Sequence, residues 1–440
     1  MRSMASDYFV IRGGQPLEGT VSMRGSKNAA SKMMLASLLT SEPCVIENIP
    51  FSLEITLAGE LCERVGSGVV FDKKMHSCTL RASSITTSRI PELSRRNRIP
   101  ILAFGPLLHR TGQAEVPFLG GDPIGHRPVD FHLDALNRLG VRIERREFSY
   151  YAEADEIHGA EVDLPFPSVG ATENILLTAV RARGRTVIRN AAVEPEVMNL
   201  VEMLNSMGAR IRCDKGTRHI EVEGVGSLHG TKIMVIPDRN EAVSFACAAL
   251  ATGGQIDVEG AEPAHLEAFL RALKEYGAKT EIQSWGIRCA AGSSLHPIAI
   301  ETAPYPGFMT DWQQPFSVVL AKGEGRSFVH ETVYEDRFGY IRDLTRMGAR
   351  ISVSDECVGT RSCRFFGRTF NHSARIEGPC SLRGVQITMT DIRAGMAHVI
   401  AALAAEGESV IHGVEHLDRG YEKIDERLKG LGADIQRISN

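Results

Sequence analysis

The stretch FLGGDPIGHRPVD, residues 118–130, sets Asp122 on a glycine-lined loop that runs on through Arg127 to a second acid, Asp130. Gly120, Gly121 and Gly125 let the backbone change course, so a carboxyl at this place can be carried toward a reacting atom and away again. The same composition also makes an ordinary aspartate turn. A second pattern recurs along the chain. Ser26, Asn97, Ser168, Asp238, Asp311 and Asp391 each open an alanine-rich apolar run, from SKNAASKMML at the first to DIRAGMAHVI at the last. All six are good helix N-cap types. Helix starts carry free N–H groups and partial positive charge, so six of them brought together suit an anionic, phosphorylated substrate. Lys27 adds an ammonium directly after the first opener, and Asn28 beside it offers both a donor and an acceptor.

The elements that must position these groups are written six times, with a recurrence of roughly 70 residues, the size of a small subdomain rather than a solenoid repeat. After each opening helix comes a short branched strand such as CVIENIP or TVIRNAA, and then a second helix. The second helices end on Gly66, Gly140, Gly208, Gly277, Gly348 and Gly432, each followed by an alternating strand. The pattern predicts an α/β protein of six βαβ-like units with extra strands, three to a lobe.

At 440 residues the chain exceeds what one core serves, which predicts two lobes. A net charge of -4 with acids and bases interspersed speaks against a nucleic-acid binder or a polybasic membrane binder. Nine cysteines without a CxxC pair or a metal-ligand spacing predict reduced thiols, no disulfide and no structural zinc. The opening MRSMASDYFV has no signal-peptide core, and no stretch approaches the roughly 20 apolar residues of a membrane span, so a cytoplasmic protein is expected.

Ten motifs in one order, RGSKNAA, GPLLHRTGQAEV, GGDPIGHRPVDFH, SVGAT, AAVEPEV, IPDRNEA, TAPYPGFMTDWQ, VYEDRFGYIRDLTRMGA, TDIRA and LDRGYEKID, resemble the enolpyruvyl transferases over nearly the whole chain. The likeness is greatest to the branch acting on UDP-N-acetylglucosamine in peptidoglycan synthesis, because GSKN stands where the shikimate branch carries GSKS. The fold so implied is a two-lobed, inside-out α/β barrel of six βαβαββ-like repeats. Residues 1–26 and 237–440 would form the lobe with both termini, and residues 27–236 the lobe with the lid loop at 118–130. The reaction implied moves the enolpyruvyl group of phosphoenolpyruvate to the sugar's 3-hydroxyl through a tetrahedral ketal, with loss of phosphate. No metal or organic cofactor is implied, and a monomer is.

The resemblance assigns roles residue by residue. Lys27, Arg98, Arg127, Arg393 and Arg419 would bind phosphoenolpyruvate, with Arg337 nearby, since guanidinium meets carboxylate or phosphate through paired hydrogen bonds. Asn28 would touch the reacting centre, Asp311 would accept the hydroxyl proton, and Asp391 would pair with the arginines and the intermediate. Asn28, Arg98, Arg127, Pro128, Val129, Asp130, Phe131, Ser168, Val169, Gly170, Asp311 and Val333 would line the UDP-sugar. Asp122 stands where most members of this family carry a cysteine, the thiol alkylated by fosfomycin, and would deliver a proton to the enol's methylene carbon. A thiol starts near pKa 8.5 and a carboxyl near 3.9, so Asp122 must be shifted upward by burial or by the anionic substrate to arrive protonated.

Some residues depart from the family pattern. Pro167 stands where a lysine can meet the diphosphate, Ile99 and Pro100 replace other residues beside Arg98, and residues 362–380 form a longer basic and aromatic stretch than expected, which reads as a surface excursion. A transferase acting on another nucleotide such as UMP, or a silent UDP-sugar-binding paralogue, therefore stands beside the main reading. His126 reads as a solvated loop histidine. For Asp122, steady-state turnover of Asp122→Asn is expected to collapse while Asp122→Cys stays active. The native chain is expected to keep working in fosfomycin; near-normal turnover of the asparagine variant would remove the acid role.

Overall fold

The computed structural model describes residues 7–90, 92–94, 97–121, 128–335, 337–360 and 363–439. Two compact units divide the chain: one holds the residues up to Arg24 with those from Pro237 onward, the other holds Gly25–Gly121 and Pro128–Ile236. They are called here the Asp311 unit and the Lys27 unit. Each contains three small sheets, five of the six having four strands and one having three.

The repeat is clearest in the Lys27 unit. Strand Glu161–Asp163 leads to helix Val169–Ala179, strand Arg185–Arg189, helix Pro195–Ser206 and the hairpin Arg210–Asp214 with His219–Glu223. The first two strands pair in parallel and the others antiparallel, which is a βαβαββ unit. Elsewhere a repeat borrows its missing strand from far along the chain. Lys232–Met234 pairs in parallel with Cys44–Glu47, and Glu18–Ser22 pairs in parallel with Gln255–Glu259. Tyr8–Arg12 lies antiparallel between Glu408–His412 and Asp434–Ile438. The second repeat is the exception to six equal units. Its three strands Gln113–Pro117, Ser149–Glu153 and Arg142–Arg145 are joined by a single parallel bridge, Arg89 to Glu115, where a fourth strand would lie.

Helices, not strands, occupy the middle of each unit, and no closed strand barrel forms among the described residues. In the Asp311 unit the helices Arg239–Thr252, Gln313–Leu320 and Ile392–Leu403 pack on one another and are buried almost all round. Such helices must be apolar on every face, which explains the alanine-rich runs seen in the sequence. Small residues let the axes approach: in the Lys27 unit a Cβ on Gly105 would sit 2.6 Å from Thr178 Oγ1 and 2.8 Å from the Leu177 carbonyl oxygen. The outer helices have one wet face, as in Glu267–Tyr276, where Ala268, Phe269, Ala272, Leu273 and Tyr276 are buried. The six predicted glycine stops all adopt left-handed backbone, with φ between 90° and 109°.

Four of the six openers act at their helix starts. Ser168 Oγ, Asp238 Oδ1 and Asp391 Oδ1 accept N–H groups of the first turn, and Asn97 Oδ1 accepts the Ile99 N–H at 2.8 Å. The other two depart from the expected cap. Ser26 makes no side-chain cap and its Oγ is buried without a hydrogen-bond partner among the described residues. Asp311 lies inside the 3-10 turn Thr310–Trp312 that precedes Gln313–Leu320, and its carboxylate is turned to arginines instead. All nine cysteines are free thiols, and no helix among the described residues is long and apolar enough to cross a membrane.

Because Ile11 is fully buried on the borrowed strand Tyr8–Arg12, Ile11→Ala is expected to destabilise the Asp311 unit by about 2–5 kcal/mol. Urea unfolding followed by a probe in that unit measures the change; a loss within a few tenths of a kcal/mol would mean that the strand is dispensable.

Candidate active site

In the Asp311 unit the starts of all three central helices meet. Asp311 bridges two buried guanidiniums, Arg337 Nη2 at 2.5 Å on Oδ1 and Arg393 Nε at 3.0 Å on Oδ2. Arg337 Nη1 also lies 4.0 Å from Asp391, whose Oδ1 is engaged by the backbone N–H groups of Arg393 and Ala394. Guanidinium has only donors, so the next bonds have a fixed direction. Arg393 Nη1 donates to the Tyr421 hydroxyl at 2.9 Å; that hydroxyl donates to Ser244 Oγ at 2.7 Å, and Ser244 donates to the Asn240 carbonyl. Burial raises the Tyr421 phenol above its ordinary pKa, which keeps the proton this relay needs. Asn240 Oδ1 in turn accepts the Trp312 indole N–H at 3.1 Å.

Glu331 ties the remaining parts together. Its buried carboxylate accepts from Thr310 Oγ1 and Gln313 Nε2 on one side and from the backbone N–H groups of Val333 and Tyr334 on the other. Burial raises its pKa, opposed by those hydrogen bonds and by Arg337. Val333, half-buried, is thereby held in a fixed relation to the turn that carries Asp311. Arg419 is half-buried and follows the short helix Glu415–Asp418.

In the Lys27 unit, Lys27 is the first residue of helix Lys27–Ala36 and is buried, its Nζ donating to Glu54 Oε2 at 3.0 Å. A solvated surface lysine is therefore excluded. Asn28 is half-buried beside it, as is Arg98 at the start of the 3-10 turn Ile99–Ala103. Pro128 and Asp130 are exposed, while Val129 and Phe131 are half-buried, at the start of helix Asp130–Arg138. His132 on that helix is buried against the start of helix Val169–Ala179: a Cβ on Gly170 would lie 3.1 Å from its ring. Its Nδ1 lies 3.2 Å from Asn174 Nδ2. Burial, and then the charge of Arg98, push the imidazole down to about pKa 3, so it is neutral at any working pH. Ser168, Val169 and Gly170 remain half-buried at that helix start. Asp122, Arg127 and His126 lie outside the described residues.

The family model described as EPSP synthase (3-phosphoshikimate 1-carboxyvinyltransferase) matches residues 11–428. The chain belongs to that family. Among curated members of the EPSP synthase family, it is 43% identical to the UDP-N-acetylglucosamine 1-carboxyvinyltransferase of Protochlamydia amoebophila over 98% of this chain and 94% of the relative. It is 41% identical to the enzyme of the same name from Granulibacter bethesdensis, over 98% of this chain and all of that one. Among solved structures, the enolpyruvyl transferase NikO from Streptomyces tendae superposes with a TM-score of 0.85 at 24% identity, covering 99% of this chain and 100% of that one. EPSP synthase from Acinetobacter baumannii gives 0.73 at 18% identity, covering 98% of this chain and 100% of that one. These two share the fold of the EPSP synthase family.

Sequence reasoning missed several groups that hold this family's fold in working shape here. Glu54 lies 27 residues from the lysine it pairs with, and Ser244 and Glu331 sit in no recognisable motif, while Tyr421 drew no role of its own. Of these, Tyr421 alone had a signal, its place in LDRGYEKID two residues after Arg419. Two expectations are corrected. Residues 363–380 are more than a surface excursion, since Phe365 is buried and packs on Phe370 and His372. Nor are the cysteines without a metal-ligand grouping, because Cys357 and Cys363 meet His330 and His372. The four come from a strand end, a loop and the residue before a strand, so no short spacing reveals them.

Glu173, on helix Val169–Ala179, is fully buried with Oε1 lacking a hydrogen-bond partner among the described residues. Burial raises its pKa to about 7, with Lys32 opposing and Glu196 and Glu194 reinforcing the shift. A carboxyl raised in the folded state binds its proton more tightly there than in the unfolded chain. Stability therefore falls as pH rises from the unfolded value through about 7. Glu173→Gln is expected to be more stable than the native chain at pH 8, by up to about 3 kcal/mol, with the gain shrinking to nothing near pH 4. Denaturant titrations across that range test it; a pH-independent difference would mean that Glu173 does not titrate as described.

Proposed function

We propose that this chain transfers the enolpyruvyl group of phosphoenolpyruvate to the 3-hydroxyl of UDP-N-acetylglucosamine and releases phosphate, the first committed step of peptidoglycan synthesis. It does so as a cytoplasmic monomer, with no cofactor taking part in the chemistry. The observation that carries this reading is identity of 43% over nearly the full length of a relative bearing that activity in its name, combined with an intact Asp311, Arg337 and Arg393 cluster.

The reaction needs cations for a phosphate and a carboxylate, a base for the hydroxyl and an acid for the methylene carbon. Lys27, Arg98, Arg127, Arg393 and Arg419 supply the cations, with Arg337 supporting Asp311. In the free chain both Asp311 oxygens are occupied by guanidinium. An anionic substrate competes for the same donors, so its arrival frees a carboxylate oxygen for the sugar hydroxyl. Asp391 keeps Arg393 in place through the backbone bonds that start its helix. Asp122 protonates the carbon that becomes the methyl group of the ketal. Asn28 touches the reacting centre; Ser168, Val169 and Gly170 present helix N–H groups to the diphosphate, and Pro128, Val129, Asp130, Phe131 and Val333 surround the nucleotide and sugar.

Phosphate release from phosphoenolpyruvate is expected with UDP-N-acetylglucosamine and not with UMP or shikimate 3-phosphate. Asp311→Asn is expected to lower kcat by about a hundredfold to ten-thousandfold while the KM for phosphoenolpyruvate changes far less. Release with UMP alone would move the acceptor to the alternative that Pro167 suggests, and no release with any acceptor would mean a silent paralogue.

A further inference from the structure

His330, Cys357, Cys363 and His372 bring their four potential ligand atoms within 4.8 Å of one another, in a part of the Asp311 unit that the transfer reaction does not use. His330 ends strand Gly325–His330, and His372 directly precedes strand Ser373–Gly378, its antiparallel neighbour. The two cysteines come from the connection leading to that second strand. We propose that these four side chains form a structural zinc site of Cys2His2 type that clips the connection onto the sheet.

The donor set is that of tetrahedral zinc, two soft sulfurs and two imidazole nitrogens. Metal bonds of about 2.3 Å to sulfur and about 2.0–2.1 Å to nitrogen put neighbouring ligand atoms roughly 3.3–3.8 Å apart. Cys357 Sγ already lies 3.2 Å from His372 Nε2. Both rings are oriented from behind. His330 Nδ1 lies 3.3 Å from Glu301 Oε1, and His372 Nδ1 lies 3.1 Å from the Phe370 carbonyl oxygen. Each of those oxygens accepts a ring proton, which leaves Nε2 with its lone pair facing the cluster, the outer-shell arrangement that metal-bound histidines use. His330 Nε2 is buried without a hydrogen-bond partner among the described residues, a cost that a metal bond removes.

The loop is shaped around the same point. Glu301 Oε2 accepts the Thr360 N–H at 3.2 Å, and any side chain at Gly359 would collide with the His330 ring and the Glu301 carboxylate. Cys363 Sγ accepts the Phe365 N–H at 3.4 Å, which fixes the turn that carries it. Binding releases two thiol protons to solvent and changes no oxidation state. The clip also braces Glu331, which follows His330 in sequence and donates its backbone N–H to the His372 carbonyl at 2.8 Å.

The full-length chain, purified under reducing conditions, is expected to carry about one zinc ion by elemental mass spectrometry. Cys357→Ser and Cys363→Ser should lose it, and Cys213→Ser, in the other unit, should keep it. After chelation, the native chain titrated with Co2+ is expected to show the visible bands of tetrahedral cobalt with thiolate-to-metal charge transfer, abolished by added Zn2+. It should also unfold several degrees lower than the zinc-loaded chain. This cobalt experiment needs no variant, so it decides the matter even if the serine variants fail to fold. A native chain that takes up neither ion would overturn the proposal. So would a Cys357–Cys363 disulfide in the freshly purified protein, seen as a mass two hydrogens short, since the pair would then be a redox couple.

Discussion

Mutual burial of the central helices in each unit is the constraint from which the rest follows. A helix surrounded by others and roofed by sheets carries charge along its sides only at a cost, as the raised pKa of Glu173 shows. Its ends are the places left for polar groups. In the Asp311 unit those ends are gathered by the packing itself, and Asp311, Asp391, Arg393 and Asn240 become neighbours although more than 150 residues separate the first helix start from the last. The charged cluster is thus a by-product of putting helices inside and sheets outside.

Such a cluster is costly unless every charge has a counterpart. Arg337 and Arg393 are both nearly inaccessible, and one carboxylate between them offsets part of their desolvation while Tyr421 and Asp391 take up further donors. The same logic governs Lys27, which is buried with its Nζ on the Glu54 carboxylate. Buried cations in both units are therefore held in shape by carboxylates. A neutral imidazole at His132, by contrast, adds no positive charge beside Arg98 and packs tightly on Gly170.

Much of the architecture was legible in the sequence because it is local. Glycine at φ near 100° leaves a direct mark on composition, and so do Asp238 and Asp391 as caps on alanine-rich runs. What the sequence hid is what depends on distant partners. Asp311 looks like its fellow openers, yet it lies inside a 3-10 turn with its oxygens on the Arg337 and Arg393 guanidiniums. Glu54, Glu331 and Tyr421 are ordinary residues until the fold places them. The His330, Cys357, Cys363 and His372 group escaped a search for short spacings, since antiparallel strands rather than one tight loop bring its members together.

The strand Tyr8–Arg12, flanked by Glu408–His412 and Asp434–Ile438, has a consequence for how the protein is made. Tyr8–Arg12 is made about 400 residues before the strands that flank it, and its sheet cannot close until both have been synthesised. Gly25–Ile236 has all three of its sheets' strands well before that point, with Lys232–Met234 sealing the first of them. Synthesis thus runs with one unit able to finish while the other holds an unmatched apolar edge until Asp434–Ile438 has been made, the stage at which a chaperone has most to protect.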